Sequence, residues 1–269
     1  VRGAQLPIHH FTRIDSTNEE ARRLFEKGHS EACWIIADEQ TAGRGRRGRR
    51  WESETGNFAA TLYMPGPISV ASAGHMSFVT GLAIHDCLAD LTSAELHVKW
   101  PNDLLLDGRK LSGMLLEAFK IADGSVLGLA IGIGINLAHH PENTPYPATH
   151  LALHRASRTI KNHDGSEAMG ENADPLTPLN LLKALSVCFA ARLSDYHQHG
   201  FAPCRAAWLE RAFGVGTVIQ VNLEAEQMRG VFEGLDEAGQ LLLREDDGTL
   251  HTVTAGDVFF KSVAHDQSS

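Results

Sequence analysis

Ten consecutive residues, 126–135, carry only apolar side chains and glycine: Val-Leu-Gly-Leu-Ala-Ile-Gly-Ile-Gly-Ile. A strand with no polar position has no face to give to water, so it belongs in the middle of a sheet covered on both sides. The rest of the chain has to be arranged around it.

Short apolar runs alternate with helical patterns along the sequence. Residues 33–37 and 57–64 read as strands, the second ended by Pro65-Gly66-Pro67. Strands at 96–100 and 103–106 are broken at Pro101, and Asp107-Gly108 is a hairpin signal that returns the chain through 110–119. After Ile14 a helix begins. Ser16 or Thr17 can cap it, Glu19 and Glu20 fall at capping-box distance, Ala21, Leu24 and Phe25 form its apolar stripe, and Gly28 stops it. The most apolar helix covers about 70–91, with Met76, Val79, Leu82, Ala83 and Cys87 near helical spacing. This order predicts an α+β fold: a mixed, largely antiparallel sheet packed with helices.

Residues 154–178 turn polar and irregular and read as a mobile surface loop or insertion. Helices resume near Leu179, with Leu182, Leu185, Phe189 and Leu193 on one face, and a shorter one covers about 201–212. Beyond Phe213-Gly214-Val215-Gly216 come four short strands, 218–221, 228–235, 240–244 and 250–253, turning at 236–239 and 246–248. These predict a small β-barrel, so the expected units are 1–212 and 213–269.

A chain of 269 residues can bury a sizeable core. It has no apolar run long enough to span a bilayer and no basic-then-apolar signal segment. Cys33, Cys87, Cys188 and Cys204 are far apart, with no Cys-x-x-Cys pair. That pattern argues against a zinc site or disulfide scaffold and fits a reducing cytoplasm. The histidine pairs 9–10 and 139–140 are adjacent in sequence, so no metal site is assigned to them. A formal net charge of −9 disfavours general nucleic-acid binding.

Against that acidic background, residues 43–50 read Gly-Arg-Gly-Arg-Arg-Gly-Arg-Arg, five arginines and three glycines. Glycine admits close backbone approach, and arginine offers a planar fork that matches phosphate oxygens. Taken alone, such a loop is an anion clamp, a solvated basic turn or a nucleic-acid patch. Its surroundings narrow the choice. Asp15-Ser16-Thr17-Asn18 precedes it, and Gln40-Thr41-Ala42 and Trp51-Glu52-Ser53 flank it. Lys99-Trp100-Pro101-Asn102-Asp103, Gly108-Arg109-Lys110-Leu111-Ser112-Gly113 and Gly132-Ile133-Gly134-Ile135-Asn136 follow. In this order and spacing the segments closely resemble the catalytic core of biotin protein ligases, strongly over about 9–140 and more loosely beyond.

The resemblance implies a class II synthetase-like (biotin–lipoate ligase) catalytic domain followed by an SH3-like β-barrel. It implies ATP-dependent formation of biotinyl-5′-AMP, then transfer of biotin to a lysine on the biotin carboxyl carrier protein of acetyl-CoA carboxylase. Catalytic roles fall to Lys110, Arg46 and Asp103, the last orienting the incoming amine unless it is only a turn residue. Biotin contacts are expected from Ser16, Thr17, Asn18, Gln40, Gly43, Arg44, Gly45, Arg46, Lys110, Gly132 and Gly134. ATP or adenylate contacts are expected from Arg44, Arg46, Arg47, Trp51, Lys99, Asn102, Lys110 and Asn136. At least one of Arg47, Arg49 and Arg50 is expected to be merely solvated. Mg²⁺ is implied by the ATP chemistry and by no ligand cluster in the sequence.

Repressor members of the family carry an N-terminal helix-turn-helix domain; here the ligase-like sequence begins almost at once, so no DNA binding is expected. Oligomeric state is left open, a homodimer included. Two alternatives stand beside this reading. A lipoate or octanoate ligase shares the catalytic fold, though the arginine loop and residues 99–103 favour biotin. A nucleic-acid module built on the loop lacks support from 216–260, which carries Asp236, Glu237, Glu245, Asp246 and Asp247.

Overall fold

The apolar run is the central strand of a seven-stranded sheet. The strands are β1 (Ile8–Ile14), β2 (Cys33–Gln40), β3 (Phe58–Ile68), β4 (Leu96–Lys99), β5 (Asp103–Leu106), β6 (Arg109–Lys120) and β7 (Val126–Ile135). Their order in space is β1-β2-β3-β7-β6-β5-β4. β1 and β2 are parallel and every other neighbouring pair is antiparallel. The structure is a computed structural model, and it describes residues 6–120, 125–142, 144–155, 159–161, 167–169, 176–223 and 226–260.

The strand period of two sorts the side chains onto two faces. On one face Cys33, Ile35, Tyr63, Phe119 and Ala130 pack with Ala21 of helix α1 (Thr17–Glu26). On the other, Trp34, Ile36, Leu62, Leu129, Ile131, Ile133 and Ile135 meet α2 (Val70–Ala89) and α3 (Pro178–His199). α2 is the apolar helix of the sequence, and it buries Val79, Leu82, Ala83 and Ile84 completely. The glycines of β7 now have a reason. Gly128, Gly132 and Gly134 alternate with the large residues, so they share the α1 face with Ala130 and leave it shallow.

Three local expectations change. Ser16 is the N-cap of α1, yet its side chain makes no capping bond. Glu20 bonds Arg23 at 2.6 Å and Glu19 bonds Arg44, so neither closes a capping box. Gly28, at φ 72, does end the helix, with His29 N–H on Leu24 and Gly28 N–H on Phe25. Strand β3 does not stop at Pro65; it runs on to Ile68 with a register shift opposite β7. A Cβ on Gly66 would lie 2.9 Å from Ile68 N and 3.0 Å from Val126 O, so glycine fits this irregularity where a larger residue would not. The segment read as irregular contains a short antiparallel pair, β8 (Thr159–Lys161) and β9 (Glu167–Met169). The rest of that expected loop, 156–158, 162–166 and 170–175, lies outside the described residues.

α3 ends at Gly200, and α4 (Phe201–Glu210) follows. The C-terminal strands are β10 (Val218–Asn222), β11 (Gln227–Leu235), β12 (Leu241–Arg244), β13 (Leu250–Val253) and β14 (Asp257–Phe260). They form an antiparallel sheet ordered β13-β12-β11-β10-β14. β14 is additional to the four strands expected from sequence, and it pairs with β10. The two sheets share one apolar core, and Trp100 Nε1 donates to Gly239 O at 3.1 Å. Among the described residues no helix is long and apolar enough to cross a membrane.

Candidate active site

The glycine face of β7 is the floor of a cavity of about 330 Å³. A Cβ on Gly132 would meet Asn18 Oδ1 at 2.3 Å, and one on Gly134 would meet the Trp51 indole at 2.3 Å. In register beside Gly134 on β6 is Gly113, over which Lys110 Nζ and the Trp51 ring both lie 3.3 Å from a notional Cβ. Asn18, Trp51 and Lys110 therefore stand in a row along a strip of missing side chains. Any larger residue at 132 or 134 would push the first two out of place.

Near Asn18 the cavity is polar and its groups are joined. The Gln40 side chain accepts from Thr17 N–H at 2.8 Å and from the Thr17 hydroxyl at 3.0 Å, and donates to Ser53 at 2.8 Å. The Thr61 hydroxyl lies 2.8 Å from that of Thr17 and 2.6 Å from Asn18 Oδ1. Asn18 Nδ2 donates to Glu117 at 2.7 Å. Thr17, Asn18 and Thr61 are buried, as is the neighbouring Ser16, so this network is fixed before any ligand arrives.

Beside Lys110 the cavity is cationic. Lys110 Nζ is 2.6 Å from Asp103 Oδ1, and Lys99 Nζ is 3.8 Å from Asp103 Oδ2. Burial works against the Lys99 ammonium, Asp103 favours it and Lys110 opposes it, and its pKa is lowered to about 8. Burial also works against ionisation of Asp103, but the Lys110 and Lys99 ammoniums outweigh it and hold the carboxyl below its ordinary range. Tyr146 covers Lys99, with Nζ 3.9 Å from the ring centroid. Burial, then Asp103, pushes the Tyr146 phenol up to about 12.

The basic loop closes this side. Arg46 is half-buried and donates to Asn102 Oδ1 at 3.3 Å and to Gly256 O at 3.2 Å. Burial lowers its pKa, with Asp257 and Asp103 opposing. Arg44 pairs with Glu19, and Arg47 and Arg49 both pair with Asp257. Arg50 is exposed, lines the cavity, and has no ion-pair partner among the described residues. The loop therefore docks on α1 and β14. Gly43 is buried beneath Trp51 and Gln40, and Gly45 N–H bonds Arg49 O at 2.7 Å.

Most residues singled out in the sequence line this one cavity: Ser16, Thr17, Asn18, Gln40, Arg44, Gly45, Arg46, Trp51, Lys99, Asn102, Asp103, Lys110, Gly132, Gly134 and Asn136. Gly43 and Arg47 do not line it. Asp103 is more than a turn residue, because it begins β5 and holds two ammoniums. Nothing in the sequence marked Thr61, Tyr146 or Asp257. Thr61 is one hydroxyl inside an apolar strand, Tyr146 sits in a proline-rich connection, and Asp257 comes from the far end of the chain.

Residues 10–136 match the family model described as biotin/lipoate A/B protein ligase, and residues 216–261 match the biotin protein ligase C terminal domain. The biotin–[acetyl-CoA-carboxylase] ligase of Paracoccus denitrificans is 39% identical over 251 residues, 92% of this chain and 98% of that one. The bifunctional ligase/repressor BirA of Escherichia coli is 32% identical over 267 residues, 96% of this chain and 74% of that one. In fold, the biotin protein ligase of Aquifex aeolicus, solved with biotin and ATP, superposes with a TM-score of 0.71 at 24% identity, covering 94% of this chain and 97% of that one. By its family models and by these relatives, the chain belongs to the biotin protein ligase family.

Proposed function

We propose that the protein is an ATP-dependent biotin–[acetyl-CoA-carboxylase] ligase. A biotin carboxylate oxygen attacks the α-phosphorus of ATP, pyrophosphate leaves, and biotinyl-5′-AMP remains bound. A lysine amine of the carrier subunit then attacks the acyl carbon and releases AMP. The observation that carries this reading is the single cavity in which a fixed polar network and a row of cations share a glycine floor.

In this reading the network of Ser16, Thr17, Asn18 and Gln40 meets the ureido ring, whose donors and acceptors all need partners. Gly132 and Gly134 keep the floor flat beneath it, with Gly43 and Gly45 shaping the loop above. Lys110 and Arg46 hold the carboxylate and α-phosphate together, opposing the repulsion between two anions as charge develops. Arg44, Arg47, Lys99 and Asn102 take further phosphate oxygens, and Trp51 and Asn136 border the adenylate. Asp103 is the acceptor toward which the incoming amine is oriented.

Mg²⁺ is part of the proposal as the companion of ATP's phosphates. No group of three or more His, Cys, Asp or Glu that could hold a metal occurs among the described residues, and the cavity's Asp103 and Asp257 are already paired with cations. The described residues therefore offer no closed metal cage. We place the catalytic unit at 1–212 and the small C-terminal unit at 213–269. DNA is left out of the proposal because the loop's arginines face carboxylates and the cavity.

The test is mass spectrometry and pyrophosphate exchange with biotin and Mg·ATP. A retained biotinyl-AMP and biotin-dependent exchange are expected. Exchange that responds to lipoate and not biotin would move the protein to the sister activity, and no exchange from folded protein would sink the proposal.

A further inference from the structure

We propose that Glu117, from outside the cavity, fixes which way round the Asn18 amide stands and so makes Asn18 a hydrogen-bond acceptor that selects ligands bearing an N–H. This rests on the ureido reading above and adds a specificity-determining residue to it. Asn18 Nδ2 donates to Glu117 Oε2 at 2.7 Å and to Leu115 O at 3.3 Å, while Asn18 Oδ1 accepts from the Thr61 hydroxyl at 2.6 Å. Asn18, Leu115 and Gly132 line the cavity and Glu117 does not. Glu117 is therefore a positioning residue that acts through Asn18.

A primary amide has a donating end and an accepting end, and its neighbours decide their order. A carboxylate and a carbonyl only accept, so the end that faces Glu117 and Leu115 is the nitrogen. Turned over, Asn18 would set its oxygen against two acceptors and lose both bonds. Glu117 is itself held in place. It stands opposite Ala130 of β7, two positions along from the Leu115–Gly132 pair, on the face that the glycines leave shallow. Its other oxygen, Oε1, lies 3.5 Å from Arg22 Nη2, and Arg22 lies over the Phe119 ring, 5.2 Å from its centroid. With Oε1 drawn to Arg22, Oε2 is left for Asn18.

The consequence is a fixed pattern on the cavity wall. Thr17 N–H, which only donates, fixes Gln40 Oε1 in the same way, and Gln40 Nε2 gives one hydrogen to Ser53. Among the described residues, nothing besides Thr61 bonds Asn18 Oδ1, and nothing takes the second hydrogen of Gln40 Nε2. One acceptor and one donor are left over for a ligand. Oδ1 is the Asn18 atom nearest the Gly132 floor, 2.3 Å from a notional Cβ against 3.1 Å for Nδ2. A ureido group offers N–H and C=O together, and a dithiolane ring offers neither. The orientation of one amide thus discriminates against any ligand that brings no N–H to Asn18.

The experiment uses the full chain as wild type, Glu117→Leu, Asn18→Asp and the double variant Asn18→Asp/Glu117→Gln. The probes are biotin and its two lactam isosteres, each with CH₂ in place of one ureido N–H, titrated by calorimetry. Wild type should bind one isostere, the one lacking the N–H that meets Asn18, at least about tenfold more weakly than biotin. In Glu117→Leu the amide is free to turn, so biotin should weaken about tenfold and the gap to that isostere should close to within about threefold. Asn18→Asp sets two carboxylates against each other and should lose biotin at least about tenfold. In the double variant the new amide donates to the new carboxylate, whose other oxygen still faces the cavity, and biotin affinity should recover. This donor–acceptor swap stands as a test even if Glu117→Leu does not fold. No gap in wild type, equal weakening of biotin and both isosteres in Glu117→Leu, or no recovery in the double variant would reduce Glu117 to a structural carboxylate and overturn the proposal. Folded wild type that binds no biotin at all would instead overturn the adenylation reading itself.

Discussion

Lys110 reaches back across the β5–β6 hairpin to Asp103, Nζ to Oδ1 at 2.6 Å, and the same carboxylate lies 3.8 Å from Lys99. One carboxylate shared by two ammoniums leaves this buried corner with a net positive charge. Such a charge attracts a polyanion more strongly than it would in water, because little solvent screens it.

Replacing Lys110 by alanine should cut the rate of adenylate formation by about ten- to a hundredfold, the loss expected for one charge-assisted contact. It also leaves Asp103 with Lys99 alone. The variant should fold but lose about 1–3 kcal/mol of stability. Single-turnover adenylation and urea unfolding read the two effects separately. Near-normal adenylation in a folded variant would place the chemistry's charge elsewhere.

Lys99 predicts a pH dependence. Its pKa in the folded protein is about 8, against an ordinary 10.5, with burial as the leading cause. Between those values the unfolded chain holds the proton and the folded one has released it. Stability contributed by this group therefore rises with pH through that window, and below about 8 the cost of the buried ammonium is fully present. Lys99→Met should flatten the difference in unfolding free energy between pH 7.5 and 10 relative to wild type. If Lys99 also meets phosphate, the KM for ATP should climb above about pH 8, and Lys99→Arg should remove that rise. An identical pH profile in all three proteins would rule out both roles.

Much of this architecture was legible because its signals are local. The all-apolar β7, the Asp107-Gly108 turn with φ of 48 and 69, and the Gly28 stop each follow from a few neighbouring residues. The loop and its flanking motifs placed most of the cavity for the same reason. What stayed hidden depends on distance in sequence. Asp257 acquires a role only because β14 lies against the loop, and Thr61 only because β3 passes beneath α1. The missing capping box has a related cause: Glu19 is engaged by Arg44, a tertiary contact that local spacing cannot reveal.

Thr61→Val tests the polar network while conserving shape. Thr61 is fully buried, and valine would leave Asn18 Oδ1 without its 2.6 Å neighbour. Stability should fall by about 1–3 kcal/mol, the range for an orphaned buried polar group. Biotin affinity should drop at least tenfold, since Asn18 and Thr17 each lose a hydrogen-bond partner on the cavity side of the network, while pyrophosphate affinity holds. Equal losses for both ligands would mean the network supports the whole cavity and not one ligand.

Trp51 offers an optical test of the cavity floor. The chain has four tryptophans, and Trp34, Trp100 and Trp208 are buried at 1%, 3% and 2% exposure. Trp51 alone is half-buried, and it lies in the cavity against Gly134 and Gly113. Its emission should therefore dominate any change when biotin and ATP are added, and Trp51→Phe should abolish that change with the fold intact. Gly134→Ala puts a methyl group where the indole lies, 2.3 Å from its nearest ring atom. Because the collision is with a side chain at the cavity edge, the ring should swing outward and the sheet should survive. The expected signature is red-shifted emission in the ligand-free variant, a melting temperature within a few degrees of wild type, and biotin affinity reduced at least tenfold. Unshifted emission with normal biotin binding would show that Trp51 does not rest on this floor in solution.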